Sequence, residues 1–351
     1  MWGRNSITTL NESPTSNKDW KRILPGLVVS AISLAVVFYF ADIGQMLKAI
    51  RLADYRIVAG AFLISLAWLL VRAIYWRTLL QERASFSKVF FTITEGYLLN
   101  NILPFRLGEV ARAFLLSGKT ELTFWQVFST ILIERALDMT MAAGLLLITL
   151  PFVIGASWAR QAVIAVGTVV PLGLLVLYLL ARYREWATRF FIQLTNRWPI
   201  LGKIGVERVA SFLSGLAVLT DGSRFLRAVG WALLDWLIAI AQFYVLLLAF
   251  FPNAKLLWAS FALGVAALGI AAPSSPGAVG VLELSIVGAL AAFGLNSSTA
   301  LAYALTGHLF NYLTNGVLGA YALAKDGETL TGLYRSVRNI RSTVPEDQET
   351  L

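Results

Sequence analysis

Nine ionisable side chains interrupt stretches of sequence that are otherwise apolar: Glu95, Arg106, Glu109, Arg112, Glu134, Arg135, Asp138, Asp235 and Glu283. At the centre of a bilayer each would cost about 2.5–3.5 kcal/mol on insertion scales, and nine unpaired groups roughly 20–30 kcal/mol in sum. They must pair, line a wet cavity, or do both. Spacing favours pairing. Glu109 and Arg112 are three apart, and Glu134 and Asp138 are four apart with Arg135 at their flank, so each set shares a helix face. The chemistry this suggests is charge recognition, with Arg106 and Arg112 for an anion and the carboxylates to balance charge or take protons. Covalent chemistry has less to stand on. Glu109, Glu134 and Asp138 are the general-base candidates. The chain has no cysteine and a single histidine, His308, and shows no nucleophile motif, metal constellation or donor-binding loop. No metal and no cofactor is expected.

Pro104 and Pro276 each precede a new helical run. Proline is pre-set for a first helical turn and lacks the N–H that would be orphaned there. Each break therefore reads as the start of a half-helix that offers free N–H groups and the positive end of a dipole. Two such N-termini aimed inward, with Arg106 and Arg112 nearby, would make an anion site, and phosphate is the anion a membrane supplies. Plainer roles compete at each position. Gly277, Gly280 and Gly288 could serve close helix packing. Glu134, Arg135 and Asp138 could be a buried ion network that fixes helix order. His308, Asn311 and Asn315 share a helix face and suit interhelical hydrogen bonds.

The elements that must carry these residues are membrane helices. The chain is 58% hydrophobic and 14% charged, with a mean hydropathy of +0.70, where soluble domains are about half apolar and a quarter charged. A span needs about 20 apolar residues. Full-length candidates are 23–41, 57–80, 127–150, 161–181, 228–251 and 300–324. Two further apolar regions, 88–117 around "LPFRLGE" and 257–293 around "APSSPGAVGVLE", are broken by proline and glycine into pieces too short to cross. The expected fold is an all-α polytopic membrane protein with about six full spans and two broken-helix hairpins. With the N-terminus inside, the predicted cytoplasmic segments hold 19 Lys and Arg and the outside ones five. This asymmetry places both termini in the cytoplasm of a cell-membrane protein. Span, hairpin, span then occurs twice in opposite orientation, over about 57–150 and 228–324, the pattern of an inverted repeat with a midplane site. Residues 1–22 and 326–351 read as cytosolic tails, and 42–56 as an amphipathic stretch on the surface. The basic, aromatic segment 182–227 reads as interfacial helices on anionic lipid rather than a nucleic-acid surface. The net charge of +9 follows from such loops.

"GYLLNNILPFRLGEVARAFLL", followed by "ILIERALDM", resembles one motif of the lysylphosphatidylglycerol synthase transmembrane-region family, also called the flippase-like domain family. "PSSPGAVGVLELSIVGALAAFGL" resembles its second motif, normally Pro-Gly-Gly-x-Gly-x-x-Glu. The likeness covers about 23–325. By position the family pattern falls on Asn101, Pro104, Arg106, Gly108, Glu109 and Arg112, on Glu134, Arg135 and Asp138, and on Pro276, Gly277, Gly280 and Glu283. Ala278 stands where a glycine is usual, and its methyl could narrow backbone access to a headgroup. The resemblance implies a membrane protein that handles an anionic or isoprenoid-linked lipid. The family's bifunctional members carry a soluble aminoacyl-transferase domain. This chain runs only about 27 residues past its last span, so lysyl transfer is not expected of this polypeptide alone. A translocase is the leading expectation. A membrane-embedded transferase on a lipid-linked substrate, or a subunit that recruits a lipid-modifying enzyme or glycosyltransferase, are the alternatives.

Overall fold

The computed structural model describes residues 17–103, 106–153, 157–197, 205–271 and 274–327. Pro104 and most of the two expected tails lie outside them. Within them the chain is helical: α1 Asn17–Phe40, α2 Ile43–Leu52, α3 Tyr55–Leu79, α4 Phe86–Ile102, α5 Leu107–Lys119, α6 Phe124–Thr149, α7 Ser157–Arg182, α8 Arg184–Arg197, α9 Val206–Gly215, α10 Gly222–Phe250, α11 Leu256–Gly269, α12 Val281–Ala291 and α13 Ser297–Lys325. Each of the six expected spans coincides with a helix of 24–29 residues. By length and apolarity, however, only α3 and α10 qualify outright, or up to four spans if two bent pairs each count as one. The shortfall has a chemical cause in α6, where Glu134, Arg135 and Asp138 fall within a single span. The two broken regions are pairs of short helices as expected, with 17 and 13 residues in α4 and α5 and 14 and 11 in α11 and α12.

Two sets of four helices follow the same plan. α3 to α6 run long, short, short, long, and so do α10 to α13. Their packing matches under exchange of the sets. α3 packs on α10, α4 on α13 and α11 on α6, and each short helix packs on its hairpin partner. Capping follows the same division. The long helices start with side-chain caps, in which Asp54, Thr123, Asp221 and Asn296 accept backbone N–H groups of the first turn, satisfying donors that would otherwise be orphaned. The four short helices start on Ser85, Arg106, Lys255 and Gly280 without a capping bond from that residue's side chain.

Helix contacts in lipid depend on close packing more than on hydrophobic burial. At Gly108 an added Cβ would lie 2.0 Å from the carbonyl oxygen of Gly96, so the backbones of α4 and α5 touch and the hairpin closes tightly. The remaining packing forms two apolar clusters. One gathers the start of α3, the ends of α6 and α10 and parts of α11 to α13, including Ala61, Leu146, Leu247 and Leu301. The other gathers the end of α3, the start of α6 and α10, and α9, including Trp76, Val127, Leu216 and Ala232. Helices α3, α6 and α10 run from one cluster to the other, and their polar residues Arg72, Asp138 and Asp235 fall between the outer ends. α2 turns 81° away from α1 and packs on α13. Within segment 182–227, α9 packs on α6, where Gln126 donates to Ser214 at 2.9 Å.

Candidate functional site

A cavity of about 500 Å³ opens between the two broken regions. Asn100, Asn101 and Arg106 reach it from the first break, and Ser274, Ser275, Gly277 and Ala278 from the second. Trp68 and Arg72 of α3, Arg135 and Asp138 of α6, and Asp235 and Gln242 of α10 form a polar flank, while His308, Asn311 and Asn315 of α13 face it together. Leucine, isoleucine, alanine and phenylalanine side chains, among them Leu246, Ile270 and Phe310, line much of the rest.

The polar flank is the surface of a buried ion network. Arg72 is its hub, donating to Glu134 at 2.6 Å, to Asp138 at 2.9 Å and to Asp235 at 3.1 Å. Glu134 and Asp138 therefore do face one way, as their spacing implied. Arg112 donates to the other oxygen of Glu134 at 2.8 Å, and its guanidinium lies 4.0 Å from the centroid of the Trp76 ring. Arg106 pairs with Glu109 at 2.8 Å, and Arg135 lies 3.2 Å from Glu109 and 3.4 Å from Asp138. The expected pairing of Glu109 with Arg112 does not occur. Glu109 turns toward Arg106 and Arg135, whereas Arg112 passes across Gly96, where a Cβ would sit 2.2 Å from its Cγ, and reaches Glu134. Glu95 pairs with Lys119 at 2.7 Å and Glu283 with His308 at 2.5 Å. All nine of the ionisable groups singled out from sequence thus have partners, so none is left as a lone buried charge.

Among the residues singled out from sequence, Asn101, Arg106, Arg135, Asp138 and Gly277 reach the cavity. Gly108, Glu109, Arg112, Glu134, Gly280 and Glu283 stand behind it. The two helix N-termini are accordingly covered. Gly108 in the first turn of α5 is pressed against α4. Gly280 at the start of α12 gives its N–H to Glu283 at 2.7 Å, and a Cβ there would lie 2.6 Å from the carbonyl oxygen of Ser30 on α1. What faces the cavity instead is side chains. Arg106 and Arg135 keep 33% and 20% of their side chains exposed. Asn101 Nδ2 and Arg135 Nε and Nη2 lack a well-aligned acceptor, and Asn100 Oδ1 and Asp235 Oδ1 lack a donor. Arg106 and Ala278 both have left-handed backbones, with φ of 54° and 56°, a strain that non-glycine residues adopt rarely.

Arg72 was the residue least visible in the sequence. It sits in an apolar span toward the predicted cytoplasmic end, where an arginine ordinarily snorkels to the interface. The available signal was its depth, since Arg72 is followed by seven more residues of α3.

Comparison with known proteins matches the description "Lysylphosphatidylglycerol synthase TM region" over residues 23–319. The chain belongs to this family. Relatives of the lysylphosphatidylglycerol synthase transmembrane region include the glycosyltransferase AglD of Haloferax volcanii, 24% identical over 91% of this chain. The chain spans only 57% of that protein's length. A UPF0104 membrane protein of Methanothermobacter thermautotrophicus is 23% identical over 88% of this chain and 95% of its own. No solved structure matches the chain. Family membership and the apolar helices make this a multi-pass membrane protein.

Proposed function

We propose that this protein is a translocase for an anionic phospholipid or an isoprenoid-linked lipid. The observation that carries the reading is the cavity joining the two broken regions, with Asn101 and Arg135 in its wall beside the exposed edge of Arg106. Phosphate oxygens suit those donors, because guanidinium–phosphate hydrogen bonds are charge-assisted and can be bidentate. The side chains of Asp235 and Gln242 in the same wall offer places for a hydroxyl or amine of the same headgroup. The apolar remainder of the wall suits acyl or isoprenoid chain. Glu109 and Asp138 hold the two arginines in place.

In this reading the six long helices span the membrane, the hairpins α4–α5 and α11–α12 enter from opposite faces, and both termini are cytoplasmic in the cell membrane. The exchangeable packing of α3–α6 and α10–α13 supports an inverted repeat that rocks about the cavity. The test is leaflet exchange of headgroup-labelled lipids in liposomes containing the purified protein. Anionic lipids should exchange faster than in protein-free liposomes and faster than zwitterionic ones. No exchange of any anionic or isoprenoid-linked lipid would refute the reading.

A second reading follows from the relative named a glycosyltransferase: the chain acts as a transferase on a lipid-linked substrate or as the membrane subunit of such an enzyme. Product formation from a lipid-linked donor by the purified protein, or an enzyme that co-purifies stably while no lipid moves, would favour it.

A further inference from the structure

His308 makes two contacts that together constrain its protons. Its Nδ1 lies 2.5 Å from Glu283 Oε1 and its Nε2 lies 2.9 Å from the carbonyl oxygen of Gly277. The other carboxylate oxygen, Oε2, accepts the N–H of Gly280 at 2.7 Å. A carbonyl oxygen only accepts, so Nε2 must carry a hydrogen. The contact at Nδ1 then needs one more proton, and two arrangements supply it. In one, His308 is an imidazolium and Glu283 a carboxylate. In the other, Glu283 is the protonated acid and donates to Nδ1 of a neutral ring. Both hold one proton more than a neutral histidine beside a carboxylate, and both satisfy every contact. Removing that proton leaves one ring N–H for two acceptors. The ionised carboxylate is the stronger acceptor and takes it. Nε2 would then turn a lone pair toward the oxygen of Gly277.

The segment that His308 holds is strained. Gly277 and Ala278 both have left-handed backbones, with φ of 68° and 56°. The turn is also tied to α1 by the bond from Ser275 N–H to Ser30 Oγ at 3.0 Å, closed on itself by Ala278 N–H donating to the Ser275 carbonyl at 3.0 Å, and packed at Gly277 against the Tyr312 hydroxyl. His308, Ser275, Gly277 and Ala278 all lie in the cavity wall, so a proton can reach the pair from cavity water. No other group stands within ion-pair distance of Glu283 or His308 among the described residues. On α13 the titratable neighbour is Tyr312, whose ring lies 4.8 Å from the imidazole. α11 carries no ionisable side chain and α12 none besides Glu283. α1 presents Ser30 and Leu34 to the turn. On α4, which packs on the turn and on α13, the titratable groups are Lys88, Glu95 and Tyr97; Lys88 donates to the carbonyl of Lys119 and Glu95 is tied to the Lys119 ammonium. On α10, which packs on α11 and α13, Asp235 is engaged by Arg72.

We propose that Glu283 and His308 form a proton-binding site in the cavity wall, and that the bound proton pins the Ser275–Ala278 turn. Losing it frees the turn and reshapes the second break. The proton is thereby the coupling ion for lipid movement, a consequence that rests on the translocase reading, whereas proton binding itself does not.

The chain has no cysteine, so a single introduced thiol reports the turn. Ala278→Cys is placed in the protein in lipid nanodiscs, and its modification by a water-soluble thiol reagent is followed from about pH 5 to 8, where histidine titrates. Rates are divided by those of Leu52→Cys on the exposed face of α2, which removes the thiolate contribution. The normalised rate should rise severalfold through a one-proton transition as pH increases. Glu283→Gln supplies an N–H to Nδ1 and leaves a neutral His308 free to donate to Gly277, so in that background the rate should stay low and flat. His308→Phe removes the donor, and the rate should stay high and flat. A flat profile in the parent, or a transition that survives Glu283→Gln, would overturn the proton site. Leaflet exchange is then measured with a pH gradient. A response lost in Glu283→Gln supports the coupling, and indifference to pH despite an intact thiol transition overturns it. No exchange at any pH overturns the translocase reading while the thiol result still decides the proton site.

Discussion

Replacing Arg72 by methionine takes away the one cation that three carboxylates share. The side chain is 4% exposed and donates to Glu134, Asp138 and Asp235. Methionine fills much of the same volume without charge. After the change Glu134 keeps Arg112, and Asp138 keeps the more distant Arg135 at 3.4 Å, but Asp235 has no cation within reach among the described residues. Breaking one partner from a buried pair costs about 3–5 kcal/mol. Protonation of the orphaned Asp235 would limit the loss, so about 3 kcal/mol is the floor. Against a total stability of about 5–15 kcal/mol, that is a large fraction. The assay is chemical or thermal unfolding of the purified protein in nanodiscs. Arg72→Met combined with Asp235→Asn should recover part of the loss, because the second change removes the uncompensated charge. A single variant within about 1 kcal/mol of the parent, the worth of a surface pair, would show that the network is not the buried structure described.

Ala278→Gly should stabilise the protein by about 0.5–1 kcal/mol, because glycine relieves a left-handed strain of about 1–2 kcal/mol and loses part of that in chain entropy; a thermal shift measures it, and a destabilised variant would contradict the strained turn. Gly96→Ala should be strongly destabilising, since its methyl would lie 2.2 Å from Arg112 Cγ and displace an arginine that holds Glu134; tolerance in the same unfolding assay would refute that close approach. Gly118→Ala, a control on the same hairpin with nothing within 4 Å, should be neutral or slightly stabilising, as expected of a helix position with room for a methyl.

The need for partners among the residues from Gly96 to Gly118 was legible in the sequence. Their cost in lipid required partners or a cavity, and the structure has ion pairs for Glu109 and Arg112 and a cavity beside Asn101 and Arg106. Helix positions were also legible, because apolar length sets them, but Pro276 does not start the second half-helix as expected: α12 begins at Val281 with Gly280 as its N-cap, because Gly277 breaks the helical path between them. The pairings were not legible. Spacing three apart allowed Glu109 to meet Arg112, but packing of α5 on α4 through Gly96 and Gly108 sends the two side chains different ways. The covering of the α12 N-terminus was equally hidden, since it depends on α1 laying Ser30 against Gly280 across a separation in sequence that no periodicity reports. Arg72 became visible only when three carboxylates from two other helices converged on it.

The central claim, that lipid headgroups pass through the cavity between the two breaks, is tested most directly by a reversible plug. Asn311 faces the cavity from an exposed position on α13. In an otherwise cysteine-free chain, Asn311→Cys can carry a bulky group through a disulfide. Leaflet exchange of an anionic lipid is then measured in one preparation before modification, after it, and after reduction. The account expects exchange to stop when the plug is attached and to return when it is reduced away. Exchange that continues at the parent rate with the cavity plugged would contradict it.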